Sequence, residues 1–262
     1  MSAPESDFPY PLNVLRRVLA LEGVATDALH YALFDRADEP FADAQGRSTA
    51  MLLERIPPPP RRVLEVGIGL GATLDRLRRL GYEAVGITPD AAQARIARER
   101  FADDLPVRIS PLEAFEDDRP YDVLIFQESS QYIESTTLWD RARRLASPGA
   151  VVIVLDEFAL LPVDRPDALH RLDGFRSAAR ANGFALEEEV DLSRRAAPTV
   201  DWFLRRLPAH RDLIARELGV ERERFDALLE SGAAYRDLYR SGRYGYRLLR
   251  FRRRVGAEKG SA

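Results

Sequence analysis

The sequence contains no cysteine and a single lysine, Lys259 near its C-terminal end. The missing cysteines exclude disulfides, thiolate nucleophiles and thiolate metal ligands. Because Lys259 stands in a polar tail, the folded body cannot depend on a lysine Schiff base or a P-loop lysine. The three histidines are far apart and lack a metal-binding spacing, so we predict no metal site.

The chain of 262 residues also lacks a long apolar run and a signal-peptide pattern. Lysine and arginine total 39 against 42 for aspartate and glutamate, and the two signs alternate along the chain. Such alternation disfavours nucleic acid and membranes as partners. We therefore expect a soluble, cytoplasmic protein that is built as one domain with additions.

Strand-like and helix-like stretches alternate through the middle of the chain. The predicted elements are a strand at 62–66, a helix at 73–80, a strand at 84–88, a helix at 90–101, strands at 107–110 and 122–126, a helix at 137–146, a strand at 150–155 and a helix at 168–182. This alternation predicts parallel strands joined by crossover helices. Asp90, followed by Gln93 three residues later, indicates a capping box.

Helices are predicted on both sides of this region. Apolar residues at helical spacing, including Ala28, Leu29, Ala32 and Leu33, predict helices within 11–56 that end at the four prolines 57–60. After a strand at 184–191, residues 196–240 are mostly helical in pattern, and a last strand follows at 246–252. Such a long insertion between two strands indicates a cover over a site. We divide the chain into a helical cap, 1–60, and a domain, 61–262, with its insertion at about 192–245.

The clearest motif is EVGIGLG at 65–71, placed where a strand turns into a helix. Glycines there allow the backbone to approach a ligand, and the helix N-terminus offers free N–H groups. With Ala72 the spacing also satisfies the dinucleotide fingerprint, so a nicotinamide enzyme is one reading. Two features favour a different class of enzyme: Glu65 stands directly before the glycines, and the second strand has no carboxylate at its end.

The run VLEVGIGLG resembles the first motif of class I S-adenosylmethionine-dependent methyltransferases, over residues 62 to about 155. The resemblance implies an α/β, Rossmann-like fold with a seven-stranded, mostly parallel sheet whose last strand is antiparallel. It also implies S-adenosyl-L-methionine as cofactor, with S-adenosyl-L-homocysteine as product. An NAD(P)-dependent oxidoreductase and a noncatalytic S-adenosylmethionine-binding relative are the alternatives.

The run GITPDAAQ at 86–93 is similar to cyclopropane synthases and to tocopherol and geranyl diphosphate C-methyltransferases. In that subgroup it implies Thr88, Pro89 and Gln93 on the ribose and adenine side of the cofactor. The complete set of implied cofactor residues is Glu65, Gly67, Gly69, Gly71, Thr88, Pro89, Gln93, Leu112, Glu113 and Gln127.

The polar run QESSQY at 127–132 follows the fourth strand and resembles stretches of the same C-methyltransferases. At the carboxyl edge of a parallel sheet it would face the ligand crevice. Glu128 is predicted to remove a proton or to stabilise a cation, unless it only binds backbone N–H groups. The further catalytic candidates are Tyr132 and His30, and the candidate acceptor contacts are Tyr31, Trp202, Tyr235 and Tyr239.

The predicted reaction is in-line methyl transfer to a small acceptor, in specialised metabolism. The resemblance favours carbon slightly over nitrogen, oxygen or sulfur as the methylated atom. Arg47, Arg194, Arg195 and Arg243 are available for an anionic acceptor, although surface roles are the simpler reading.

Overall fold

The computed structural model describes residues 8–24, 28–36, 38–164 and 169–255. A seven-stranded sheet with the order β3-β2-β1-β4-β5-β7-β6 lies at its centre. The strands are β1 (Arg62–Val66), β2 (Glu83–Thr88), β3 (Val107–Ile109), β4 (Tyr121–Gln127), β5 (Ala146–Ala159), β6 (Phe184–Asp191) and β7 (Tyr244–Arg253). The first five pair in parallel, whereas β7 runs antiparallel to both β5 and β6. The predicted sheet is therefore confirmed.

Helices cover both faces of the sheet and its carboxyl edge. They are α1 (Leu12–Leu21), α2 (Phe41–Leu53), α3 (Ala72–Arg79), α4 (Ala91–Phe101), α5 (Ser135–Leu145), α6 (Leu172–Ala181), α7 (Ser193–Ala196), α8 (Pro198–Leu218) and α9 (Arg222–Arg240). Among the described residues, none of the helices is both long and apolar enough to cross a membrane.

The prediction for β5 was too short at both ends. Its start, Ser147-Pro148-Gly149, resembles a turn in sequence. In the structure Ala146 already pairs with Tyr121, and the far end pairs with β7 as far as Ala159. Pairing with two neighbouring strands therefore extends β5 past the residues that would otherwise end it.

The predicted helix around residues 28–33 was wrong. This stretch has no helical hydrogen bonding, and its amides bond outside it: Leu33 N–H donates to Ala44 O at 2.9 Å and Phe34 N–H to Arg195 O at 2.8 Å. Leu33 packs with the sheet, while Ala32 and Phe34 pack with the helices of the cap and insertion. The apolar spacing thus reflects an extended segment between two cores.

Two apolar clusters cover the two faces of the sheet, and a third joins the cap to the insertion. In the third cluster Val14 and Val18 from α1 pack with Phe41 from α2, Trp202 from α8 and Phe225 from α9. The helices predicted as two separate additions therefore share one core above the sheet edge.

We expect Gly86→Ala to destabilise the protein. A Cβ on Gly86 would lie 2.4 Å from Ile68 Cγ2 and 2.7 Å from Leu74 Cδ2, inside the packed core between β2 and α3. Overpacking of this kind costs about 1–3 kcal/mol in the free energy of unfolding. Gly46→Ala is the matched control, because α2 leaves nothing within 4 Å of that Cβ and alanine gains about 0.5–1 kcal/mol in a helix. Urea denaturation measures both, and equal effects would contradict the packing.

Candidate active site

Two cavities lie at the carboxyl edge of the sheet, on either side of residues 28–31, which we call the strap. The glycine-loop cavity, about 40 Å³, is lined by Glu65, residues 67–70 and Gln127. The helical cavity, about 460 Å³, is lined by Glu128, Glu157 and apolar residues of α1, α8 and α9. Ala28, Leu29 and His30 of the strap line both cavities, so the strap forms a shared wall.

A third groove, about 580 Å³, lies at the opposite edge of the sheet. Three of the four arginines that line it are engaged: Arg55 pairs with Glu188, and Arg250 and Arg252 pair with Glu187. Ligands of a parallel sheet bind at the carboxyl ends of its strands, which lie at the edge away from this groove. This groove therefore plays no part in the site.

The glycine loop carries β1 into α3 through left-handed backbone conformations. Gly67, Gly69 and Gly71 have φ values of 78°, 53° and 84°. At Gly67 a Cβ would lie 2.5 Å from Ser129 Cβ, and Ser129 is held in place because its hydroxyl donates to Val66 O at 2.5 Å. Only glycine fits this turn, because its φ is positive and Ser129 occupies the space of a side chain.

Glu65, the last residue but one of β1, is buried and has an unsatisfied oxygen. The residue is 2 % exposed, and Oε2 accepts no hydrogen bond from the described residues. Burial raises the pKa of Glu65 to about 8. A buried acceptor without a partner is unusual in proteins. Beside the glycine loop, this oxygen suits a cationic donor from a ligand.

A chain of hydrogen bonds ties the strap to the glycine-loop cavity. His30 Nδ1 lies 3.1 Å from Tyr31 O, so this nitrogen donates, and Nε2 accepts from the Thr49 hydroxyl at 2.9 Å. Gln127 Nε2 donates to Thr49 Oγ1 at 3.5 Å, while Gln127 Oε1 accepts from Thr73 at 3.1 Å. Burial lowers the pKa of His30 to about 4, so the ring is neutral. Both ring nitrogens are engaged, and the catalytic role of His30 stays a prediction.

Glu128 directly follows β4 with φ of +54°, the one positive value at a non-glycine residue in the described part of the chain. Such strain marks functional positions when the surrounding structure maintains it. Here Glu128 N–H donates to Leu155 O at 2.9 Å. The Oε1 atom accepts from Tyr31 N–H and from the Tyr246 hydroxyl, each at 2.6 Å. The turn therefore sets the carboxylate at the floor of the helical cavity.

Glu157 is a second carboxylate of the same floor, and the sequence alone does not distinguish it from its neighbour Asp156. It is 5 % exposed and accepts from the Tyr239 hydroxyl at 2.5 Å. Burial raises its pKa to about 7, although hydroxyls of Tyr239, Tyr235 and Tyr31 act in the opposite direction. Burial and the neighbouring Glu157 also raise the pKa of Glu128 well above its ordinary value. The sequence signal that points to Glu157 is its place just after the predicted fifth strand.

Asp156, one residue earlier, is hydrogen-bonded to neighbouring residues of the protein. Its Oδ2 accepts from Ser130 N–H at 2.9 Å, from the Ser130 hydroxyl at 2.6 Å and from Gln131 N–H at 3.3 Å. These bonds hold the turn that follows Glu128. Of the two adjacent acids, only Glu157 lines the helical cavity.

The other predicted residues fall into separate groups. At the end of β2 the Thr88 hydroxyl donates to Gln93 Oε1 at 3.0 Å. Asp90 caps α4, as predicted, by accepting from Ala92 and Gln93 amides at 2.8 and 3.2 Å, but Gln93 does not complete the box because its side chain bonds Thr88. Of the other predicted cofactor residues, Pro89 and Glu113 are exposed and Leu112 is in the sheet core.

The predicted acceptor contacts divide between the core and the helical cavity. Trp202 packs on Phe41, with 4.7 Å between ring centroids, whereas Tyr31 and Tyr235 line the helical cavity and Tyr239 bonds Glu157. Tyr132, a predicted catalytic residue, is 81 % exposed at the rim of that cavity.

Comparisons with known proteins support the family that the glycine loop suggests. Residues 64–154 match the family model described as a methyltransferase domain. This match indicates a methyltransferase domain within the chain. This confirms the predicted enzyme class, with S-adenosylmethionine as cofactor, in preference to a nicotinamide enzyme. No curated protein matches the chain in sequence.

Solved structures share the fold at low identity. The cyclopropane synthase MmaA2 from Mycobacterium tuberculosis is 18% identical, with 86% of this chain and 89% of that chain covered and a TM-score of 0.75. The (4+2)-cyclase SpnF is 23% identical, with 97% and 98% covered and a TM-score of 0.78. Geranyl diphosphate C-methyltransferase from Streptomyces coelicolor A3(2), in complex with Mg²⁺, geranyl-S-thiolodiphosphate and S-adenosyl-L-homocysteine, is 17% identical, with 95% of each chain covered and a TM-score of 0.69.

The residues of the methyltransferase domain fit this cofactor on two observations. The unsatisfied Oε2 of Glu65 suits the ammonium group of the methionine part. Gly67 and Gly69 have no side chains, so main-chain atoms line the glycine-loop cavity ahead of α3. Among the described residues no group of three or more histidines and acids could hold a metal ion.

We expect S-adenosylhomocysteine to bind more tightly as the pH rises. Glu65, with its pKa raised to about 8, is protonated in the free protein between its ordinary value and that pKa, and it must ionise to accept an ammonium group. The affinity should rise by up to about tenfold per pH unit below the raised pKa. Glu65→Gln should weaken binding by about 1.5–3 kcal/mol and flatten the pH profile. Calorimetry measures both.

The control is Glu230→Gln, an exposed carboxylate on α9. It should keep the pH profile of the original protein. If the affinity of Glu65→Gln depends on pH as steeply as that of the original protein, Glu65 takes no part in cofactor binding.

Proposed function

We propose that the protein transfers a methyl group from S-adenosylmethionine, held at the glycine loop, to a small apolar acceptor in the helical cavity. The observation that carries the proposal is the shared wall. Ala28, Leu29 and His30 face both cavities, so the donor and acceptor sites adjoin at the strap. Glu128 lies at the floor of the helical cavity and bonds the strap through Tyr31 N–H.

Within this site the protein acts mainly by positioning. S-adenosylmethionine supplies an electrophilic methyl group when bound. The walls of the helical cavity exclude water and hold the acceptor in line with that group. Such positioning supplies a large part of the rate enhancement when two reactants combine. Tyr246 and the Tyr31 amide hold the Glu128 carboxylate in place, where it takes a proton from the acceptor or stabilises a cation.

The proposed cofactor contacts divide between the two ends of the cofactor. Glu65, Gly67 and Gly69 serve the methionine part, Thr88, Pro89 and Gln93 serve the ribose and adenine side, and Leu112 and Glu113 form a pair against the adenine. The glycine-loop cavity of about 40 Å³ is much smaller than ordinary ligand pockets. Leu29 closes it, because a Cβ on Gly69 would lie 3.6 Å from Leu29 Cδ1. We infer that the strap shifts outward when the cofactor binds.

The proposed acceptor carries no diphosphate. Three of the four candidate arginines are engaged elsewhere: Arg47 pairs with Glu39, Arg195 pairs with Asp35, and Arg243 donates to Pro162 O. Neither these three nor Arg194 lines the helical cavity. Carbon as the methylated atom rests on the resemblance of the GIT and Glu-Ser segments. The cap, 1–60, and the insertion at about 192–245 are proposed to cover the acceptor.

The cofactor step is tested by titrating the purified protein with S-adenosylhomocysteine, NADH and NADPH in a calorimeter. We expect binding of the first alone, because Glu65 and the glycine loop match a ligand with an ammonium group. Incubation with S-adenosylmethionine and a panel of apolar acceptors should then yield S-adenosylhomocysteine and an acceptor heavier by one methyl group. Binding without any methylated product would support the noncatalytic alternative.

We expect Glu128→Gln to reduce turnover by about 100-fold or more, because a positioned acid or base contributes about that much. The affinity for S-adenosylhomocysteine should stay within about 1 kcal/mol, since Glu128 lies outside the glycine-loop cavity. Single-turnover rates and calorimetry separate the two effects, and Glu230→Gln is the control. Equal losses of rate and affinity would mean that Glu128 only holds the strap.

A further inference from the structure

The helical cavity combines apolar walls with an acidic floor. Its walls include Leu12, Leu15, Leu19, Phe41, Phe203, Leu204, Leu207 and Leu228, and its floor is formed by Glu128 and Glu157 with Tyr31 and Tyr235. An apolar cavity of about 460 Å³ suits an acceptor with a hydrocarbon body. The acidic floor adds a requirement on the charge of the acceptor that the apolar walls do not.

No positively charged side chain of the described residues lies within ion-pair distance of Glu128 or Glu157. Their polar partners are uncharged: the Tyr246 hydroxyl and the Tyr31 amide for Glu128, and the hydroxyls of Tyr239, Tyr235 and Tyr31 for Glu157. Buried carboxylates are ordinarily paired with a cation, because burying a charge without one is costly. The floor is therefore short of positive charge.

The other charged or titratable groups at the cavity do not supply that charge. Arg16, on α1, stacks its guanidinium on the Phe8 ring, with 4.0 Å between the guanidinium carbon and the ring centroid. His30 is neutral, and both of its ring nitrogens are hydrogen-bonded within the protein. Asp156, behind the floor, adds negative charge and is satisfied by Ser130 and Gln131.

Tyrosine rings surround the same floor. Tyr31 stacks on Tyr246 at 5.6 Å between centroids, and Tyr235 contacts Tyr239 at 6.0 Å and Tyr244 at 5.2 Å. Aromatic faces attract ammonium groups, most strongly where water is excluded. Carboxylates and aromatic rings at one end of an apolar cavity together favour an ammonium group attached to a hydrocarbon.

Building on the proposed methyl transfer, we propose that the acceptor is a hydrophobic amine, and that Glu157, together with Glu128, binds its protonated nitrogen. Glu157 is the residue that determines this specificity, since it lines the cavity and does not accept the Tyr31 amide that ties Glu128 to the main chain of the strap. The preference concerns binding, and holds whichever atom of the amine receives the methyl group. The ammonium group keeps both carboxylates ionised, so amine binding releases protons from the floor.

The test titrates the protein, saturated with S-adenosylhomocysteine, with octylamine, 1-octanol and octanoate. These probes share one hydrocarbon chain and differ in the charge of the head group. We expect octylamine to bind at least about tenfold more tightly than 1-octanol, and octanoate to bind most weakly. Repeating the titrations in buffers with different enthalpies of ionisation should show proton release for octylamine and none for 1-octanol.

Glu157→Gln should weaken octylamine at least about tenfold and leave 1-octanol nearly unchanged. Glu230→Gln should change neither. Tyr239→Phe keeps the ring but removes the hydroxyl that favours ionised Glu157, so it should weaken octylamine more at pH 6 than at pH 8. This second variant provides the test if Glu157→Gln does not fold.

Three outcomes would overturn the amine proposal while leaving methyl transfer intact: equal binding of octylamine and 1-octanol, tightest binding of octanoate, or binding of none of the probes. Equal weakening of octylamine and 1-octanol in Glu157→Gln would also overturn it, because the residue would then only shape the cavity. Failure of S-adenosylhomocysteine to bind before any probe is added would instead contradict the proposed function.

Discussion

The amide of Tyr31 donates a hydrogen bond to the Glu128 carboxylate, and this contact fixes the strap against the end of β4. The left-handed backbone at Glu128 makes the contact geometrically available, because it turns the chain out of the sheet at that point. His30, the preceding residue of the strap, is then held by Thr49. Both cavities share this segment as a wall, so their shapes depend on the same few bonds.

The acids around the strap are governed by desolvation. Glu65, Glu128 and Glu157 all have raised pKa values, and burial is the largest cause in each case. Burial without a cationic partner among the described residues leaves each carboxylate sensitive to a bound positive group. The site is therefore chemically incomplete by itself at two places, one beside the glycine loop and one beneath the helical cavity. Both favour positively charged ligand groups.

The topology of the sheet assembles the acidic floor from distant parts of the chain. Glu128 ends β4, Glu157 lies near the end of β5, and Tyr246 enters from antiparallel β7. The insertion between β6 and β7 returns Tyr235 and Tyr239 on α9 to the same point. A parallel last strand would have carried the start of β7 to the opposite edge. The antiparallel strand is thus what brings the tyrosines to the carboxylates.

Local patterns in the sequence determined the sheet, the glycine loop and most element bounds, because strand alternation, glycine spacing and helix caps act between neighbouring residues. They failed at 28–33, where apolar residues facing two cores have the spacing of a helix. They also gave no means of ranking Glu157 above Asp156, or of separating Trp202, which is in the core, from Tyr235, which lines the helical cavity. Those differences depend on which elements meet in space, and only the tertiary structure decided them, since each contact joins residues that are far apart in the chain.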